Sequence, residues 1–452
     1  MSFQPDFAWG AATSAYQIEG AAALDGRKPS VWDRFCRQPG RVFEGHTGDV
    51  ACDHYHRFRE DIGLMKEIGL KAYRFSLSWS RVLPDGTGAI NEKGLAFYDQ
   101  LVDGLLEAGI DPWVTFFHWD YPLALQTRGG WLNDESSKWF AEYVQVVTDR
   151  LSDRVSHWMT LNEPQCFIGL GHRSGEHAPG DRMEMPHVLR GVHNALLAHG
   201  RAVQVIRASA NIAPKIGWAP TGDVAVPLTR SEADVNAARD AYWSIEDGSV
   251  WNQAWWSDPV IKGAYPQNGL EAYGEAVPPH TDAEMAIISQ PLDFYGMNLY
   301  NGHLVKAGAD GKPEHVMRDP GVPTSHFQWR VTPEALYWGP KWVHERYGLP
   351  IAITENGLAN QDWVAIDGAV HDPQRIDYVS RYVRELRRAA SEGVSVLGYF
   401  HWTLMDNFEW AEGYRFRFGL VHVDFTTQQR TLKDSAYWYR DVIHSNGANI
   451  PD

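Results

Sequence analysis

The chain has 452 residues, 44% of them hydrophobic, with a net charge of -16 and a pI near 5.6. No basic patch or cationic helix offsets that acidity, which argues against nucleic acid and anionic membrane as partners and reads most simply as solubility. No apolar run is long enough to span a bilayer, and the opening Met1-Ser2-Phe3-Gln4-Pro5-Asp6-Phe7 lacks the charged and apolar regions of a signal peptide, so the cytoplasm is the expected compartment.

Short apolar strands alternate with amphipathic helices along the whole chain. The first strand is expected at Phe7–Ala12, followed by Gln17 and a long connection, Gly20–Asp53. A helix over His56–Ile68 stops at Gly69. The strand Ala72–Leu77 carries Arg74 in its middle. The next helix begins at Asn91, with Leu95, Tyr98, Leu101, Val102 and Leu105 on one stripe before Gly109. The strand Trp113–Phe117 runs into His118-Trp119-Asp120, and a helix follows over Glu135–Leu151.

In the second half, the strand Ser156–Leu161 runs into Asn162-Glu163-Pro164. A connection, Pro164–Glu184, leads to the helix Met185–Ala208. The strand Lys215–Ala219, the helix Ser231–Glu246 and a long connection, Asp247–Gln290, come next. The strand Phe294–Asn298 is followed by the connection Tyr300–Thr332 and the helix Pro333–Tyr347. The strand Ile351–Thr354 meets Glu355-Asn356-Gly357 before the helix Asp372–Glu392. The last unit is the strand Val396–Trp402, the connection Leu404–Leu432 and a helix over Asp434–His444.

Eight strands each followed by a helix predict an α/β fold, a single (β/α)8 TIM barrel over residues 1–452, with its long βα loops gathered over one face. There is no GxGxxG after the first strand, which weakens a dinucleotide-binding alternative. No linker or internal repeat divides the chain. The three cysteines, Cys36, Cys52 and Cys166, form neither a disulfide framework nor a zinc motif, and Cys166 reads as a core thiol. No metal or organic cofactor is expected.

Glu163 and Glu355 each end an apolar run, where a barrel strand delivers a reactive group to its C-terminal rim. Pro164 biases Glu163 toward an extended backbone, and Asn162 offers its amide to a sugar hydroxyl or to the other carboxylate. Gly357 would let the chain turn tightly below Glu355. A pair of such carboxylates is the minimum equipment for cutting a glycosidic bond. Glu355 fits a nucleophile held ionised by Arg74, a cation too costly in mid-strand unless paired, and by the phenol of Tyr300. Glu163 fits a general acid that keeps its proton to near neutral pH. Gln17, His118, Trp119, Trp402, Glu409 and Trp410 fall at strand ends or in the loops beyond them, as hydroxyl readers and stacking floors for a sugar. Aromatics are 13% of the chain, including 20 Trp, of which most are expected in the core.

This ordered set resembles family 1 of the glycoside hydrolases, the β-glucosidase type, from Phe7-Ala8-Trp9-Gly10 to Leu432-Lys433-Asp434-Ser435. Its marks are Tyr16-Gln17-Ile18-Glu19-Gly20, Arg74-Phe75-Ser76, His118-Trp119-Asp120, Asn162-Glu163-Pro164, Thr354-Glu355-Asn356-Gly357 and Asp406-Asn407-Phe408-Glu409-Trp410. The resemblance implies a retaining mechanism with Glu163 as acid/base and Glu355 as nucleophile. It implies a sugar site lined by Gln17, His118, Asn162, Asn298, Tyr300, Trp402, Glu409 and Trp410. It also implies hydrolysis of terminal β-D-glucosyl residues, with β-galactosyl and β-fucosyl residues as alternatives that the sequence does not separate, from substrates such as small β-glucosides and short oligosaccharides like cellobiose, in cellulose or other polysaccharide degradation. Leu299 and Gln165 depart from the family's aromatics and bear on leaving-group preference. A 6-phospho-β-glycosidase would want a cation near the eighth-strand loop; Glu409 repels a phosphate, and Phe416 and the supporting Phe418 supply no donor. A transglycosylase would share every catalytic residue, and a non-catalytic carbohydrate-binding barrel would keep the aromatics but lose a carboxylate.

Overall fold

In the computed structural model, which describes residues 2–451, eight parallel strands close into a barrel. They are β1 (Ala8–Ala12), β2 (Ala72–Ser76), β3 (Asp111–Phe117), β4 (His157–Asn162), β5 (Lys215–Ala219), β6 (Phe294–Asn298), β7 (Ile351–Asn356) and β8 (Val396–Trp402). Every strand expected from the sequence is present, with ends displaced by at most two residues.

Side chains alternate along each strand, so every second residue points to the barrel axis. The lower interior is a packed layer in which Trp113 meets Phe400 and Phe294 at ring-centroid distances of 4.8 and 5.3 Å. Glycines make the room. A Cβ on Gly10 would lie 2.5 Å from the Phe400 ring, and one on Gly217 would lie 2.4 Å from that of Phe294. Further along the strands the interior carries Arg74 bonded to Thr115 and Thr354 bonded to Asn298. The apolar floor thus gives way to a polar layer at the C-terminal end.

The outer helices are α1 (His54–Ile68), α2 (Glu92–Glu107), α3 (Ser136–Leu151), α4 (Met185–Ser209), α5 (Glu232–Tyr242), α6 (Ala335–Tyr347), α7 (Pro373–Ser391) and α8 (Asp434–His444). Gly69 ends α1 in a left-handed conformation (φ 80°), its N–H donating to the carbonyls of Met65 and Lys66. One expectation fails in placement. α5 lies on a small side sheet of strands 224–227, 302–307 and 313–315, where Asp234 Oδ1 accepts from the N–H of Ala307 at 2.8 Å. Its place against the barrel is taken by helices inside the stretch read as a connection, Ala254–Lys262 and Asp282–Ile288. Ser257 bonds the Tyr295 hydroxyl of β6 at 2.7 Å, and the Ile287 carbonyl closes on Gly200 of α4. Pro259 interrupts the first of these helices and hid its period. No helix among the described residues is long and apolar enough to cross a membrane.

The loop after β8 is anchored by buried charge. Asp406 accepts from Lys433 Nζ and Arg417 Nη1, both at 2.7 Å, and from the N–H of Gly419 at 3.0 Å. Lys433 also donates to Asp362 at 2.5 Å, and Arg375 pairs with Asp362 beside it. Burial pushes the Asp406 carboxyl up, but Lys433 and Arg417 outweigh it and hold the group at about 2. Replacing Lys433 with Met should leave two buried carboxylates without their shared cation and cost about 3–5 kcal/mol of stability. Urea unfolding reads this directly; an unchanged midpoint would contradict the pairing.

Candidate active site

Both glutamates sit where the barrel ladder is irregular. The pairing of β4 with β5 shifts register between Met159 and Asn162, and β7 shifts against both neighbours between Ile353 and Asn356. A bulge re-aims the residues beyond it, so Asn162 and Glu355 point inward out of the simple alternation. Glu163 is not extended as Pro164 suggested. Its φ is +46°, with its N–H held by the Ala219 carbonyl at 2.8 Å. The chain turns back through Pro164 into a wide π-type helix over Gln165–Ser174. Gly357 serves a close approach rather than a turn: a Cβ there would meet the Trp402 carbonyl at 1.8 Å.

Arg74 is 1% exposed and spends its whole guanidinium across the barrel. Nε donates to Thr115 Oγ1 at 3.2 Å, Nη1 to Glu355 Oε1 at 2.6 Å and to the Thr354 carbonyl at 3.2 Å, and Nη2 to Asn162 Oδ1 at 2.5 Å. Tyr300 donates its phenol to Glu355 Oε2 at 2.6 Å, and its own carbonyl is held by the hydroxyls of Tyr378 and Tyr382 on α7. Among the described residues no cation pairs with Glu163. Asn298 Nδ2 donates to its Oε1 at 2.7 Å and also to Asn162 Oδ1 at 2.9 Å. A continuous chain of hydrogen bonds therefore joins the two carboxyl groups through Asn298, Asn162 and Arg74. Cys166, read as plain core, is buried but sets its thiol 3.1 Å from Glu163 Oε2.

Burial pushes both carboxyl groups above the ordinary range, so the expected contrast is one of degree. For Glu163, burial and then the negative charge of Glu355 raise it to about 8. Glu355 is raised by burial as well, but the Arg74 charge and the Tyr300 hydrogen bond pull against that push. Glu355 is thus the first of the two to ionise. Glu409 is driven well up by burial and by the charges of Glu355 and Glu163. His118 is driven well down by burial and by Arg74, so it stays neutral.

Both glutamates line one cavity of about 440 Å³ with His118, Trp119, Tyr300, Trp402, Glu409, Trp410 and Phe418. The Trp119 N–H is committed to the Asn162 carbonyl at 3.0 Å, so that residue presents its ring and not a donor. Gln17, Asn162 and Asn298 stand one layer behind the wall. Gln17 Nε2 donates to the Phe408 carbonyl at 2.8 Å and reaches Glu409 Oε2 at 3.3 Å. Asn162 turns its amide toward His118 Nε2 at 3.0 Å, not toward the other carboxylate.

Sequence reading missed the mouth, where Glu176, His177, Asp223, Trp251, Phe327 and Trp329 complete the cavity. They lie in the long loops, and only the cluster His326-Phe327-Gln328-Trp329 hinted at them. Leu299 and Gln165 are not on the wall. Leu299 packs toward Gly339 of α6, and Gln165 ties two loops by bonding the Thr221 N–H and the Asn252 carbonyl. Any effect they have on the leaving group is indirect.

The sequence model of glycosyl hydrolase family 1 matches residues 1–448. Beta-glucosidase A of Thermotoga maritima is 46% identical over 448 residues, covering 98% of each chain. The 1,4-beta-D-glucan glucohydrolase of Thermotoga neapolitana is 44% identical over 446 residues, covering 98% of this chain and 99% of its own. A solved structure of the Thermotoga maritima β-glucosidase in complex with glucoimidazole aligns with a TM-score of 0.91 at 46% identity, over 99% of each chain.

Removing the phenol isolates one of the two forces holding Glu355 down. Tyr300→Phe takes a donor from the carboxylate form, so the Glu355 titration should rise by about one pH unit. A carboxyl-carbon NMR titration checks this; a fall, or no movement, would contradict the donor role.

Proposed function

The chain belongs to glycosyl hydrolase family 1 and is a glycoside hydrolase of the β-glucosidase type, and from that premise we propose that it removes terminal β-D-glucosyl units by double displacement, with Glu355 as nucleophile and Glu163 as acid/base. The observation that carries this reading is the unequal provision for two glutamates on one cavity. Glu355 is gripped by a guanidinium and a phenol. Glu163 has only an amide and a thiol, and it holds its proton to about pH 8.

In the first step a Glu355 oxygen attacks the anomeric carbon as Glu163 passes its proton to the departing glycosidic oxygen. The C–O bond breaks and a glycosyl ester forms. Glu163, now ionised, takes a proton from water. That water attacks the anomeric carbon, the ester C–O bond breaks, and Glu355 leaves as a carboxylate. Two inversions return the β configuration. Tyr300 and Arg74 then serve both as holders of the attacking carboxylate and as stabilisers when it leaves.

Glu409, held from behind by Gln17, suits a pair of neighbouring hydroxyls, with Trp402 and Trp410 as the apolar wall. Small β-glucosides and short oligosaccharides such as cellobiose fit a pocket that closes on these residues and opens through Trp251, Phe327 and Trp329. A phosphorylated sugar fits poorly. Among the described residues the wall carries no Lys or Arg, and Lys433 and Arg417 beside the loop after β8 are committed to buried carboxylates, Lys433 to Asp362 and Asp406 and Arg417 to Asp406.

Two experiments test the assignments. Glu355→Gly should lose hydrolysis of an aryl β-glucoside and, given azide, form the α-glucosyl azide, because the small anion enters from the vacated face. Isolation of the β-azide, or near-normal hydrolysis by the variant, would overturn the role. For the wild type, kcat/KM on cellobiose should fall as pH rises through about 8, where Glu163 loses the proton its leaving sugar needs. On dinitrophenyl β-glucoside, whose leaving group needs no proton, that limb should be absent. An identical basic limb for both substrates would show that another group governs it.

A further inference from the structure

The turn that delivers Glu163 also brings a second side chain back onto it. With Glu163 at φ +46° and Pro164 next, the N–H of Cys166 donates to Glu163's own carbonyl at 2.9 Å. The residue three positions on therefore faces the carboxyl group of the residue that started the turn. Cys166 Sγ lies 3.1 Å from Glu163 Oε2, on the wall of the same cavity. The two carboxyl oxygens are provided for separately. Oε1 takes the strong amide donor of Asn298 at 2.7 Å. Among the described residues the thiol is the only donor on Oε2.

We propose that Cys166 is a positioning residue for proton transfer: its thiol sits on Oε2, the oxygen that carries the travelling proton, and sets how readily that oxygen gives the proton up and takes it back. The inference rests on the acid/base reading of Glu163 given above. Its physical basis is the weakness of the thiol as a donor. An acid/base group must exist in both protonation states within one turnover. A hydroxyl or amide on the transfer oxygen would favour the carboxylate and weaken the acid, whereas an apolar neighbour would leave the carboxylate half-solvated and weaken the base. A thiol lies between. Burial and the neighbouring Glu163 charge push the Cys166 thiol well up, so it stays a neutral donor throughout the working range.

Other ionisable groups face the same space and stay fixed in the comparison. Glu355, Arg74 and Tyr300 lie on the inner side, with His118 from β3 and Glu409 from the loop after β8. Glu176, His177 and Asp223 line the mouth. None of them touches Cys166 Sγ through a hydrogen bond.

Two variants move the proton affinity in opposite directions, which a purely structural role would not do. Cys166→Ala removes the donor from the carboxylate, so the basic limb of kcat/KM on cellobiose should move up by about half a pH unit. Cys166→Ser offers a stronger donor, so the limb should move down. Circular dichroism and thermal melting check that each variant is folded. Unmoved limbs in both folded variants, or shifts of the same sign, would overturn the inference. Glu163→Ala tests the premise apart from the thiol. On dinitrophenyl β-glucoside with azide it should give the β-glucosyl azide. If it does and the limb in Cys166→Ala stays put, only the thiol's role falls; if no β-azide forms, the acid/base reading falls first.

Discussion

A guanidinium cannot lie unpaired inside a β-barrel, and the arrangement of the site follows from how Arg74 is satisfied. Its donors go to Thr115 on β3, Asn162 on β4, and Thr354 and Glu355 on β7. Neither β4 nor β7 is a neighbour of β2 in the closed order. Arg74 therefore acts as a strut across the barrel mouth, and it exists as one only because the barrel is closed. Loss of any one acceptor would strand buried charge, a far larger cost than loss of a surface pair. The same bonds that secure the upper barrel also hold Glu355 in place and favour its ionised form.

The charge balance at the mouth is deliberately short of cations. Glu163, Glu355 and Glu409 converge on one cavity, and among the described residues Arg74 is the one cation bonded to any of them. Three anions so close and so buried are mutually costly: the Glu355 charge strengthens the hold of Glu163 and Glu409 on a proton, and Glu163 does the same to Glu409. With the nearest cation spent on Glu355, Glu163 and Glu409 hold their protons more tightly than ordinary carboxyls do. The titrations belong to the group as a whole and not to separate residues. On the proposed reading, a sugar that brings hydroxyl donors to Glu409 changes the balance, so binding and proton state are linked at this end of the pocket.

How much of this could be read in the sequence depends on the scale of the signal. Strands and helices were legible because hydrophobic period survives in any one chain, and Glu163 and Glu355 because each ends an apolar run. Arg74 was legible because a cation in mid-strand demands a partner. The helices between Asp247 and Gln290 were not, since Pro259 and short length broke the period. The left-handed turn at Glu163 ran against the bias of a following proline, and only a tertiary constraint, the Ala219 carbonyl, explains its survival. The contact of Cys166 with Glu163 depends wholly on that turn, so the thiol read as core. Leu299 and Gln165 were read as bearing on leaving-group preference because they adjoin site residues, but a bulge or a reversed turn sends adjacent side chains in different directions.

The two ends of the cavity are built from different materials, and this bears on what can vary. The sugar end hangs on buried polar networks: the Arg74 strut, the Tyr378 and Tyr382 hydroxyls behind Tyr300, and the Asp406–Lys433–Asp362 cluster beneath the loop that carries Glu409 and Trp410. Each network couples several strands or loops, so a change at one position disturbs several others. The mouth is built from rings on long connections. Phe327 stacks on Trp329 with centroids 4.6 Å apart, and Trp251 stands 40% exposed in a separate loop. Such contacts are non-directional and tolerate exchange one ring at a time. On the proposed reading, recognition of the glucosyl unit is therefore tied to the integrity of the barrel, while the choice of leaving group can be altered without disturbing it.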